Sequence, residues 1–183
     1  MNDPMEDIIN RAKQLEIVVF DVDGVMTDGG LIFGENGNEY KIFNVKDGHG
    51  LVMLLNTGFR VAVITARSSN IVSERMSALG IKHVYQGQYD KGLTMKTLME
   101  EFQLNRDKTA YVGDDLVDLP GMHYAGLAIA VADAHPLVIK HADWTTTARG
   151  GQGAVREVCE LIMQAKGTYE VQVSRHLPDL SRT

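Results

Sequence analysis

At 183 residues the chain fits one domain that can bury a sizeable core, and a 44% hydrophobic, 23% charged composition is that of an ordinary soluble globular protein. A net charge of −6 excludes general nucleic-acid binding, which needs a basic surface, while leaving room for a local basic pocket around a small anion. The single cysteine, Cys159, excludes an internal disulfide and fits a reducing compartment.

The opening segment "MNDPMEDIINRAKQLE" has no apolar core of signal-peptide length, and no apolar run approaches a membrane span, so a cytoplasmic protein without a membrane partner is expected. A first strand, 16–21 ("EIVVFD"), stops at two carboxylates, Asp21 and Asp23, followed at once by Gly24. Two β-prone runs around "GENGN" then predict a hairpin over about 29–45, because Asn-Gly supplies the positive φ angles of a tight turn. Short apolar runs and amphipathic stretches alternate from there on: helix 48–57, strand 60–65, helix 69–79, strand 83–87 and helix 91–103. Strand 109–114, helix 115–125, strand 127–131, helix 136–141, a short strand 143–146 and helix 153–166 complete the series. Ser68 or Ser69 is placed to N-cap the 69–79 helix, with Gly80 as its stop. Cys159 falls on the last helix as a core or semi-core residue rather than a nucleophile. The pattern predicts an α/β fold, a parallel sheet covered by helices, in one domain over 1–167. Residues 168–183 lack a clear period and read as a mobile C-terminal tail.

Chemistry-bearing residues gather where such sheets form their sites, beyond the carboxyl ends of the strands. The first strand ends in Asp21 and Asp23, the second in Thr65, Ala66 and Arg67, and the fourth in "GDDLVD" with Asp114, Asp115 and Asp118. Lys91 opens the helix after the third. Each motif alone is common turn or cap chemistry; their joint order along the strand ends is what points to a site. Clustered carboxylates recruit a hard cation such as Mg²⁺, and a hydroxyl and an ammonium suit phosphoryl oxygens. His49 has a low prior for catalysis, and His83, His123, His135 and His141 lack metal-ligand spacing. "ARGGQG" at 148–153 reads as a strand-to-helix turn or as backbone N–H groups near an anion; Lys46 and Asp47 are weak candidates to line a pocket.

Asp-x-Asp-Gly-x-x-x-Asp at 21–28, Thr65 in "ITARSS", Lys91 and "GDDLVD" at 113–118 resemble the four motifs of haloacid dehalogenase superfamily phosphatases. "FNVKDGHG", "YQGQYDKG", "VADAHPLV" and "GGQGAVREVCELI" extend the resemblance to about Gly167, and within the superfamily it is to the 3-deoxy-D-manno-octulosonate 8-phosphate (KDO 8-phosphate) phosphatase family. That resemblance implies a Rossmann-like sheet with a hairpin in place of a cap domain, and hydrolysis of KDO 8-phosphate in lipopolysaccharide precursor synthesis. It implies Asp21 as nucleophile and Asp23 as proton carrier. Mg²⁺ would lie on the carboxylates of Asp21 and Asp114 and the Asp23 carbonyl, with Asp115 and Asp118 in support. Thr65 and Lys91 would hold the phosphoryl oxygens, Arg67 would read the sugar-acid carboxylate, and Arg75 would reach the sugar acid from a neighbouring subunit. A homotetramer with hairpins at the interface follows from the same likeness. Ala66 departs from the family's usual glycine and would be strained there only if the position requires positive φ. A phosphatase for the related nine-carbon keto-deoxy acid phosphate is the runner-up, against which Arg67 speaks. A phospho-receiver module is the non-enzyme alternative; its Lys comes last, whereas Lys91 here precedes the second acid cluster.

Overall fold

The structure, a computed structural model, describes residues 3–177. Six parallel strands form the main sheet: β1 (Ile17–Phe20), β4 (Arg60–Ile64), β5 (His83–Tyr85), β6 (Thr109–Gly113), β7 (Leu127–Ala130) and β8 (Trp144–Thr145). Their spatial order is β5-β4-β1-β6-β7-β8, so the chain runs outward from β1 to one edge and then outward to the other. That reversal opens a crevice at the carboxyl end of β1, where open α/β sheets bind ligands. β1, β6 and β7 are buried along their whole length, as expected of strands covered on both faces.

Helices α1 (Pro4–Gln14), α2 (Val45–Leu55), α3 (Asn70–Leu79) and α7 (Ala154–Ala165) pack on one another, and α4 (Lys91–Glu101) packs against α5 (Leu119–Tyr124); α6 (Pro136–His141) lies between β7 and β8 in the chain. α1 went unassigned in the sequence, although Asp3 caps it, Pro4 opens it and Ile8 and Ala12 form its buried stripe. α2 begins three residues earlier than expected because the Asn44 side chain accepts from the Lys46 N–H at 2.8 Å and nucleates the turn. The expected 115–125 helix is a 3₁₀ turn at Leu116–Asp118 followed by α5, with Pro120 in the first turn of the latter. α3 follows Ser69, whose side chain makes no cap bond, and ends at Gly80 in the left-handed conformation.

A separate hairpin, β2 (Ile32–Phe33) with β3 (Glu39–Tyr40), stands between β1 and α2, inside the span read for it. Part of the segment read as a tail is ordered: α8 (Tyr169–Ser174) follows a turn at Gly167, with Gln172 buried and Tyr169 and Val173 against the core. Residues 178–183 lie outside the described residues. Cys159 is wholly buried, and burial pushes its thiol pKa well up, as suits a core residue. Among the described residues no helix is long and apolar enough to cross a membrane.

Candidate active site

Asp21 sits one residue past β1, its N–H bonded to the Val112 carbonyl of β6 at 3.1 Å. One carboxylate oxygen accepts the Val22 N–H at 2.7 Å and the other lies 2.8 Å from the Lys91 ammonium, so the group is held at both ends. The chain then turns sharply: the N–H groups of Val25, Met26 and Thr27 converge on the Val22 carbonyl. Gly24 has φ +91°, and a Cβ there would stand 2.0 Å from Asp114 Oδ2, so only glycine admits the second acid loop beside the first.

Asp114 and Asp118 arrive on the turn after β6. Asp118 is fully buried and accepts four hydrogen bonds: from Lys91 (2.6 Å), the Tyr111 hydroxyl (3.0 Å), and the N–H groups of Asp114 (2.9 Å) and Asp115 (3.2 Å). It is the knot that ties the acid loop to α4. Asp115 caps the 3₁₀ turn by accepting the Leu116 N–H at 2.8 Å. Tyr111, which no sequence motif marked, belongs to this knot; a phenolic hydroxyl between the apolar Ala110 and Val112 of a strand buried on both faces was its signal.

Carboxylate oxygens of Asp21, Asp114 and Asp118 lie within 4.8 Å of one another. Burial first, then the Asp118 charge, pushes Asp21 up to about 7 against the opposing pull of Lys91. Burial, then Asp118 and Asp21, pushes Asp114 up to about 8. Burial works against the Lys91 ammonium, but Asp21 and Asp118 outweigh it and raise its pKa. One Lys91 charge against three carboxylates leaves the cluster short of positive charge. Asp114 Oδ1 is buried with no hydrogen-bond partner, and the Asp23 carbonyl accepts no hydrogen bond among the described residues. An orphaned buried carboxylate oxygen among all-oxygen donors fits a Mg²⁺ ion.

These raised values set a pH dependence. Carboxyls with folded pKa above the ordinary carboxylate range stabilise the metal-free fold in acid, and that stability is lost as pH rises through about 7 to 8. Mg²⁺ binds the ionised forms and removes the repulsion. The melting-temperature increase on adding Mg²⁺ is therefore larger at about pH 9 than at about pH 6. Thermal denaturation with and without Mg²⁺ at both pH values checks this, and an equal or smaller shift at high pH contradicts it.

Thr65 is buried just beyond β4, next to β1, its backbone fixed by bonds to Tyr85 and Gln88, both 3.0 Å. Among the described residues the one non-glycine with positive φ is Gln103, so Ala66 sits in ordinary backbone space and the missing glycine costs nothing there. Arg67 approaches Asp23, its Nε 3.8 Å from Asp23 Oδ2. Asp23 is also ion-paired with Lys41 of the hairpin, a residue the motif reading passed over. An open groove of about 950 Å³ runs from Glu39 and Lys41 to Ser68, Asn70 and Gln86.

Other candidates lie elsewhere. The Arg75 guanidinium stacks 5.8 Å over Phe43 and abuts Gly48 of α2, its Nε buried without a hydrogen-bond partner. Asp47, a weak pocket candidate, instead accepts the N–H groups of Gly153 (3.2 Å) and Arg156 (2.8 Å) and caps α7 from a distance in sequence. Lys46 is exposed. His49 meets His176 edge-on at 4.9 Å rather than the acid cluster. The 148–153 segment is a turn: the Gly150 N–H bonds Asp133 at 2.9 Å and the Gly151 N–H bonds the Val25 carbonyl at 2.9 Å. A Cβ on Gly150 would lie 1.7 Å from the Gly24 carbonyl oxygen, so the two loops interlock.

A family profile for haloacid dehalogenase-like hydrolases matches residues 5–158. The chain is 47% identical over 164 residues to the 3-deoxy-D-manno-octulosonate 8-phosphate phosphatase of Escherichia coli K12, covering 90% of this chain and 87% of that one. Similarity extends to the crystal structure of the same-named phosphatase of Moraxella catarrhalis in complex with magnesium, phosphate and KDO, at TM-score 0.92 and 39% identity, covering 94% of this chain and 99% of that one. The Yersinia pestis phosphatase of that name matches at TM-score 0.88 and 45% identity, over 90% of this chain and 89% of that one.

Proposed function

This chain belongs to the haloacid dehalogenase-like hydrolase family, and from that membership we propose that it is a Mg²⁺-dependent phosphatase releasing inorganic phosphate from KDO 8-phosphate. The observation that carries the chemistry is the pair formed by the pinned Asp21 carboxylate and the orphaned Asp114 oxygen, a nucleophile beside a cation position. Asp21 attacks phosphorus and forms an aspartyl-phosphate while the bond to the sugar oxygen breaks. Asp23 gives its proton to the departing alkoxide, then takes one from the water that attacks phosphorus and frees Asp21. Asp21, Asp114 and the Asp23 carbonyl hold Mg²⁺, which supplies charge neutralisation at the phosphoryl oxygens. Lys91 and Thr65 bind those oxygens, and Asp115 and Asp118 keep the acid loop in place. Arg67 offers a planar fork to the sugar-acid carboxylate.

Phosphate release from KDO 8-phosphate and from other sugar phosphates, with Mg²⁺ and with a chelator, tests this reading. The expected result is Mg²⁺-dependent turnover of KDO 8-phosphate above the others. Robust turnover of another sugar-acid phosphate with failure on KDO 8-phosphate would sink the substrate assignment.

The hairpin exposes Ile32, Phe33 and Tyr40, and the chain that leads from it into α2 exposes Ile42 and Val45, the last at 76%. Exposed apolar strands favour association. We take the enzyme to be a cytoplasmic homotetramer with hairpins at the interface, where Arg75 serves a neighbouring subunit's substrate. Phe33→Glu combined with Ile42→Glu then lowers the mass seen by light scattering from four chains to one or two. A wild type that runs as a monomer, or a variant that remains a tetramer, contradicts the arrangement.

A further inference from the structure

Glu39 and Lys41 are two residues apart on an extended segment, so their side chains share one side while Tyr40 and Ile42 share the other. The usual polarity is reversed. The Lys41 side chain is 1% exposed and points inward, whereas Ile42 is 66% exposed. Lys41 pairs with Asp23 Oδ1 and lies 3.3 Å from Glu39 Oε1. That same Glu39 oxygen accepts from Arg67 Nη2 at 3.0 Å, and Arg67 in turn faces Asp23 Oδ2. Two acids and two bases thus close a ring at the mouth of the site.

The ring supplies something that the Asp23 loop does not. Asp21 is fixed by its own backbone and by Lys91, but among the described residues the side-chain partners of Asp23 are Lys41 and Arg67. A general acid works only within hydrogen-bond reach of the leaving oxygen, and a carboxylate with two free torsions does not stay there unaided. Burying an ammonium is also costly unless it is paired, so this lysine is not a solvated ornament turned inward by chance.

We propose that Glu39 and Lys41 are positioning residues for the phosphatase reaction: Lys41 aims the Asp23 carboxylate at the leaving oxygen, and Glu39 holds both Lys41 and the carboxylate-reading Arg67. This rests on the reading of Asp23 as proton carrier and of KDO 8-phosphate as substrate. The hairpin is then part of the catalytic apparatus on its inner face, independently of what its outer face touches.

The discriminating experiment compares a substrate that needs a proton on its leaving group with one that does not. KDO 8-phosphate expels an alkoxide; p-nitrophenyl phosphate expels a stabilised phenolate. The quantity to compare is kcat/KM, which covers steps up to the first irreversible one and excludes the shared hydrolysis of the aspartyl-phosphate. Lys41→Met is expected to lower it by ~10²-fold on KDO 8-phosphate and by less than about threefold on p-nitrophenyl phosphate. Lys41→Arg is expected to restore about tenfold of that loss. Glu39→Gln is expected to raise KM for KDO 8-phosphate about fivefold with kcat changed less than about twofold. Equal losses on the two substrates, or none, would overturn the proposal. If Lys41→Met does not fold, Glu39→Gln decides, and an unchanged KM overturns it. A wild type active on p-nitrophenyl phosphate but inert toward KDO 8-phosphate sinks the substrate reading instead, and the alkyl-versus-aryl comparison then moves to whichever alkyl phosphate it hydrolyses.

Discussion

Asp21→Asn abolishes phosphatase turnover, with kcat down by ~10⁴-fold or more, yet yields a protein whose metal-free melting temperature does not fall. An amide cannot attack phosphorus as a carboxylate does, so the chemistry is lost. Its single amide oxygen can still accept from one of the two partners, Lys91 or the Val22 N–H, so one anchor persists and the other is lost. The substitution also removes a charge that burial and Asp118 oppose, which offsets the lost anchor. Phosphate release and thermal denaturation of the same preparation test both halves. Residual activity near wild type would move the nucleophile elsewhere.

Lys91→Met is expected to be the most damaging single change to stability, about 3–5 kcal/mol in metal-free protein. The ammonium is the hub between Asp21 and Asp118 in a site where the lysine side chain is 1% exposed. Methionine fills the volume but leaves buried carboxylates facing one another without a cation. Denaturant unfolding measures the loss. Adding Asp118→Asn to Lys91→Met should recover part of it, because the wholly buried partner is then neutral. A loss below about 1 kcal/mol for Lys91→Met would mean that the cluster is balanced by something other than this lysine.

Much of the fold was legible because strands buried on both faces write themselves as apolar runs, and β1, β4, β6 and β7 all do so. The acids, Thr65 and Lys91 were legible because each ends or follows such a run, and the sheet order carries those ends to one crevice. What escaped was partnership across long sequence distance. Asp47 looks like a loop acid in its own neighbourhood; only the packing of α2 on α7 makes it the cap of a helix more than a hundred residues away. Lys41 escaped for a different reason. The alternation in "EYKI" is visible, but which face of a hairpin turns inward depends on where the body of the protein lies. The habit of placing apolar residues inside points the wrong way here.

The interlock of Gly24 with Gly150 has a consequence for how the enzyme comes into being. The Asp21 loop lies near the start of the chain, yet its turn is closed by a segment that is synthesised some 130 residues later. While the chain is being made, Asp21 must therefore wait without Asp114, and then without the glycine turn that packs against Gly24 and Thr27. The site is completed late, by contacts that are long-range in sequence and correspondingly slow to form. A chain cut short before residue 150 carries all four motifs, from Asp21 to Asp118, and lacks the turn that locks the first of them in place.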